Sequence, residues 1–161
     1  MIRKVVVSFA LAAIAALAGC TFSTQDKEQV KATVMRYNQL LAEGYRNLNM
    51  RALPEVAEDS QVSKVYFHMA ALGEGRVRMV SQLKDIQFSD FSFANASTAQ
   101  VKTREKWDFQ HVNLDTQKVE RNEKGFAYGV SYRLARHNGI WKVRVAETDM
   151  TSSGAPGKAG K

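Results

Sequence analysis

Near Val80 the apolar residues stop recurring at the roughly 3.6-residue spacing of a helix and begin to alternate every second residue, as in a strand. That change divides the chain into a helical half followed by a sheet half. Upstream, Val30, Val34, Tyr37, Leu40, Leu41, Tyr45 and Leu48 form one stripe and predict a helix over residues 24–48. Ser23 and Thr24 can cap it, with Asp26 and Glu28 in its positive first turn. Gly44 lies inside and should weaken it slightly. A short helix is expected around residues 54–58, because proline is tolerated in a first turn. A third follows on the stripe Val62, Val65, Tyr66, Met69 and Leu72, with Gly73 and Gly75 as its stop.

Downstream, Leu83, Ile86 and Phe88 lead to Phe91 and Phe93, with a slip at Ser89-Asp90 that predicts a bulge. In the next strand Val101, Thr103, Glu105, Trp107 and Phe109 share one face; Lys102, Arg104, Lys106, Asp108 and Gln110 share the other. The third strand turns Phe126, Tyr128, Val130, Tyr132 and Leu134 inward, and the fourth Trp141, Val143 and Val145. Asn138-Gly139 between them is a strong hairpin signal. Residues 113–125 are expected to be the loop of the preceding hairpin. Helices first and a meander after predict an α+β fold, N-terminal helices packed on a curved antiparallel four-strand sheet.

The 161 residues allow one domain. Removing Arg3, Lys4, Lys158 and Lys161 from the 23 basic residues leaves 19 against 16 acidic ones over residues 20–150, an ordinary solvated surface. No basic run aligns on one segment, so nucleic acid is not an expected partner. Residues 151–161 are small, polar and expected to be a disordered tail. With one cysteine, Cys20, no internal disulfide can form.

That cysteine closes a leader. Arg3 and Lys4 precede an apolar stretch over residues 5–18 that is signal-peptide length, short of the roughly 20 residues of a comfortable span. Leu17-Ala18-Gly19-Cys20 resembles the lipobox of bacterial lipoproteins at every position. The resemblance implies a signal peptide over residues 1–19, cleavage before Cys20, and diacylglycerol on its thiol. Residues 20–23 would then be the lipidated N-terminus and residues 24–150 the folded domain. Lipid on Cys20 makes a membrane the expected partner and the cell envelope the expected place. Thr21, where lipoproteins retained in the inner membrane of enterobacteria have Asp, points to the periplasmic face of the outer membrane.

The order of elements, ending in Tyr128-Gly129-Val130-Ser131-Tyr132-Arg133-Leu134 and Asn138-Gly139-Ile140-Trp141-Lys142-Val143, resembles the nuclear-transport-factor-like (SnoaL-like) superfamily of α+β cones. Short strands between the first helices, which many members have, are not visible in this sequence. The superfamily holds isomerases, dehydratases, binding modules and assembly domains, so the fold does not decide the function.

Enzymes of this fold place a carboxylate or histidine inside the cone, where desolvation tunes it. Glu105, with inward parity between Thr103 and Trp107, is the best candidate for a catalytic base. The expectation is nonetheless that its strand emerges there and leaves it at a wet rim. Glu147 is a weaker second, at a strand end. His68, His111 and His137 lack the spacing of a metal site, and no phosphate loop or nucleophile elbow is present; no metal and no cofactor is expected. Tyr37, Trp107, Phe109, Tyr128, Tyr132 and Trp141 are candidates to line an apolar pocket for a small ligand or an envelope protein. The function expected is non-catalytic binding by a membrane-anchored domain, with an isomerase or dehydratase acting through Glu105 as the alternative. A third reading, attachment to anionic envelope polymers, requires Lys102, Arg104, Lys106, Arg133 and Arg144 to converge on one sheet face.

Overall fold

The computed structural model describes residues 23–149. The leader, Cys20 and the tail over residues 151–161 lie outside the described residues.

Helix α1 spans Thr24–Asn47. Ser23 starts it with a capping box: its hydroxyl accepts from the Asp26 amide at 3.1 Å, and the Asp26 carboxylate accepts from the Ser23 amide at 3.2 Å. Val30, Val34, Tyr37 and Leu40 are buried along one stripe, joined by the polar Asn38. Gly44 is no mere weakness, because a Cβ there would collide with the Met50 side chain folded back against the helix. The short helix is a single 3₁₀ turn, Leu53–Glu55. Helix α2 spans Asp59–Glu74, so Gly73 lies inside it and Gly75 caps it. Its buried residues are Gln61, Val65 and Met69, whereas Tyr66 is exposed. The expected stripe was one residue too wide.

Four strands follow: β1 Val77–Asn95, β2 Thr98–Asn113, β3 Val119–His137 and β4 Ile140–Asp149. They form one antiparallel sheet in the order β1-β2-β3-β4. The chain is α+β, two helices packed on one face of a curved four-strand sheet. The β2–β3 loop is shorter than the composition suggested. Polar residues from 119 onward belong to β3, because strands that project beyond the helices need no apolar face.

Bulges bend the sheet. The expected slip at Ser89-Asp90 is present, with Asp90 at a positive φ of 51°, and a second interrupts β1 between Leu83 and Asp85. A third, between Arg133 and Leu134, reverses the parity of β4. Val145 therefore pairs with Arg133 on the outer face, and Ala146 pairs with Tyr132 on the inner one. The inward assignment of Val145 is thereby corrected. Asn138 and Gly139 both take positive φ, 48° and 83°, as a two-residue hairpin requires.

Between the helices, Ala57 makes one parallel bridge to Val143. The flanking bonds run from the Val143 amide to the Val56 carbonyl, 2.7 Å, and from the Glu58 amide to the Val143 carbonyl, 2.9 Å. This vestige of a strand shields the β4 edge. Glu58 then receives Arg144 at 2.9 Å and shares a 2.6 Å bond with His137, and the Arg144 hydrogen bond foremost holds its carboxyl below the usual range.

Candidate functional site

Alternation along β2 carries Val101, Thr103, Glu105 and Trp107 to the face beneath α1. Glu105 is 1% exposed, not at a rim. The strand continues well beyond it, and α1 lies across the sheet at that level. An isolated buried carboxylate would be costly. Here four neutral donors converge on it. Trp107 Nε1–H donates to Oε2 at 2.8 Å; the Thr103 hydroxyl, the Tyr132 hydroxyl and the Asn38 amide donate to Oε1 at 2.8, 2.7 and 3.1 Å. Two donors come from β2 itself, one from β3 and one from α1, so the carboxylate ties three elements together.

Beside this network the two helices diverge from the sheet and leave a cavity of about 390 Å³. Its floor and walls include Glu105, Tyr132, Trp107, Tyr37, Gln61 and Tyr128; exposed Lys64, His68 and Thr148 stand at its mouth. Gln61 donates to the Tyr37 hydroxyl at 2.7 Å and accepts from the Ala146 amide at 3.3 Å, joining α2 to β4 across the wall. Tyr45 and His68 Nδ1 share a 2.7 Å hydrogen bond. Among the described residues the Tyr128 hydroxyl has no protein partner, so it remains able to bond a guest.

The structure gathers four of the six aromatic candidates, Tyr37, Trp107, Tyr128 and Tyr132, on this cavity. Phe109 is not among them. A register shift after Trp107 carries it to a separate hollow of about 230 Å³ with Met79, His111 and Phe126. Trp141 is core, packed edge-on against Phe93 and beneath the Arg136 guanidinium. Glu147 points outward to Arg133 at 3.5 Å, away from the cavity. Asn38, Gln61 and Tyr45 were not singled out from the sequence. A signal existed: Asn38 sits four residues after Val34 on the apolar stripe, where a polar side chain needs a partner opposite.

The five cations proposed for polymer binding do not act together. Pairing places Lys102, Arg104, Lys106 and Arg133 on the outer face, but Asp85 is paired with Lys106, Asp90 lies 3.4 Å from Lys102, and Glu147 meets Arg133. Arg144 turns away to Glu58. Among the described residues no three histidine, cysteine or acidic side chains form a group that could hold a metal ion. No described helix is long and apolar enough to cross a membrane.

The cavity tyrosines are held neutral. Burial pushes the Tyr37 phenol up to about 12, opposed by the hydrogen bond from Gln61 and reinforced by the charge of Glu105. Burial raises Tyr45, Tyr128 and Tyr132 as well, with Glu105 the second cause for the last two. Because the folded values lie above the unfolded phenol value, the associated stability is complete below about pH 10. It is lost as the pH rises through that value toward the folded ones. In an alkaline titration these four of the five tyrosines should therefore ionise together with the loss of helical circular dichroism. Phenolate absorbance that rises around pH 10 while the helices persist would show the hydroxyls to be open to water.

No protein-family model and no curated protein sequence matches the chain. Solved structures do. The intermembrane space region of the chloroplast protein ARC6 superposes with a TM-score of 0.64 at 14% identity, over 75% of this chain and 94% of that one. A periplasmic fragment of TraM gives 0.53 at 7% identity, over 76% and 96%. Aln2 from Streptomyces overlaps less fully, 0.49 at 12% identity over 79% and 91%. At such identities the likeness is one of fold alone.

Proposed function

We propose that this chain is a membrane-anchored envelope lipoprotein of the SnoaL-like cone type, held by lipid on Cys20, whose cavity binds a small ligand without chemical conversion. The observation that carries the binding reading is the pairing of an open Tyr128 hydroxyl with a carboxylate that is already engaged. Glu105 accepts four hydrogen bonds and is 1% exposed, so a substrate proton could reach it only by displacing one of its donors. A general base needs an oxygen within direct reach of that proton. A cavity of about 390 Å³ lies within the range of small-molecule sites.

The tether sets the orientation. Only Thr21 and Phe22 separate Cys20 from the Ser23 cap, so α1 would rise directly from the membrane. Its 24 residues span about 36 Å at the helical rise. Tyr45 and His68, at the cavity mouth, lie near its far end and face away from the lipid.

Two measurements test the two parts. Mass spectrometry of the envelope-extracted protein should show an acylated Cys20 as the mature N-terminus, and Cys20→Ser should leave the chain unprocessed. An unmodified terminus cut elsewhere would remove the anchor. For the cavity, ligand-observed NMR with a panel of small anionic, neutral and cationic compounds should yield binders that Val65→Trp, which fills the cavity from α2, displaces. A panel with no binder would remove the ligand reading.

A further inference from the structure

The four donors on Glu105 satisfy its oxygens but leave its charge uncancelled. Trp107, Thr103, Tyr132 and Asn38 are all neutral, and no Lys, Arg or His nitrogen among the described residues forms an ion pair with it. The two basic groups on the cavity are both at the mouth and already occupied. The Lys64 ammonium, exposed, donates to the Ala146 carbonyl at 3.3 Å, and His68 is bonded to Tyr45. The interior thus carries one net negative charge. Its remaining walls are aromatic or polar and uncharged: Tyr37, Tyr45, Tyr128, Tyr132, Trp107 and Gln61.

Resting on the ligand-binding reading above, we infer that the cavity selects a small organic cation, of quaternary or tertiary ammonium type. Three physical features favour this class. A buried negative charge acts at longer range in a poorly polarisable cavity than in water. Tyrosine and tryptophan rings attract a cation through their electron-rich faces. A bulky ammonium is weakly hydrated and loses little on entering an aromatic site, whereas Glu105, sealed under its donors, attracts it through the field and not by direct contact. The same negative potential is visible in the phenols: Glu105 is among the causes that keep Tyr37, Tyr128 and Tyr132 neutral. An anionic guest would meet that potential unfavourably, and a neutral one would gain nothing from it.

The test compares choline with 3,3-dimethyl-1-butanol, which has the same shape without the charge, on the full-length lipoprotein in a non-ionic detergent. Calorimetry or chemical-shift titration should give choline an affinity about ten-fold or more above the alcohol, the factor that a cation–π and field contribution of this kind produces. Glu105→Gln should remove that preference and leave the alcohol's affinity unchanged. If this variant fails to fold, the two-ligand comparison on the unmodified protein decides alone. Equal or tighter binding of the alcohol would overturn the cationic class while leaving the ligand-binding reading intact. Absence of binding by either compound would overturn the inference, and with the wider panel also blank it would remove the binding reading too.

Discussion

Glu105→Ala should destabilise the domain by about 3–5 kcal/mol, the loss typical of breaking a buried charged network. The size follows from what is left behind. The alanine removes the acceptor of four hydrogen bonds at once. The Thr103 and Tyr132 hydroxyls can turn to other partners, but the Trp107 N–H and the Asn38 amide can only donate in that direction. Each buried donor left without an acceptor costs about 1–3 kcal/mol. The cavity left by the lost side chain adds to this. Glu105→Gln should cost less: its amide oxygen can accept from Trp107, and its NH₂ can donate to the two hydroxyls once they rotate. Urea denaturation of both variants is the measurement. A loss below about 1 kcal/mol for the alanine, within the range of surface substitutions, would place Glu105 outside the core and undo the account of the cavity floor.

The contrast between Glu105 and the rest of β2 shows what alternation can and cannot convey. Parity assigned Val101, Thr103, Glu105 and Trp107 to one face, and the structure buries all four. It did not show whether that face is covered at residue 105, because the cover comes from α1, and Asn38 is 67 positions away along the chain. Reading the two patterns together would have helped. A polar residue inside a helical stripe and a carboxylate inside a strand's apolar face are each unfavourable alone, and each is explained by the other. Gln61, four residues before Val65 on α2, repeats the lesson with Tyr37.

The errors have a common cause. Val145 and Phe109 each lie just beyond a bulge, and one inserted residue reverses every following side chain. The slip at Ser89-Asp90 was legible because phenylalanines on both sides mark the change of parity. That near Arg133 is not, since Arg144 and Val145 fit either face by composition. Tyr66 misled for a different reason: a stripe defined by apolar residues alone takes in an aromatic side chain that the fold leaves exposed with Phe67 beside it, 72% exposed.

Trp141→Ala should cost about 3–5 kcal/mol, as full truncation of a buried indole does. Trp141 begins β4 directly after the Asn138-Gly139 turn, so its position is set by the hairpin and its face by pairing with Arg136. It is 3% exposed, at 6.2 Å from the Phe93 ring and with the Arg136 guanidinium 5.4 Å from its centroid. Arg136 in turn reaches Asp26 and Gln29 at 3.2 Å each, so the ring supports the contact between β3 and the first turn of α1. Truncation should therefore loosen the N-terminal end of α1 as well as lower global stability, and hydrogen exchange of the amides after Ser23 would report it. Trp141→Phe separates packing from polarity. The indole N–H is buried with no protein partner among the described residues, so phenylalanine forfeits no protein hydrogen bond and retains the contact with Phe93. It should cost well under half of the alanine's loss. A phenylalanine as damaging as alanine would mean that the indole N–H, and not the ring's packing, holds this corner of the fold.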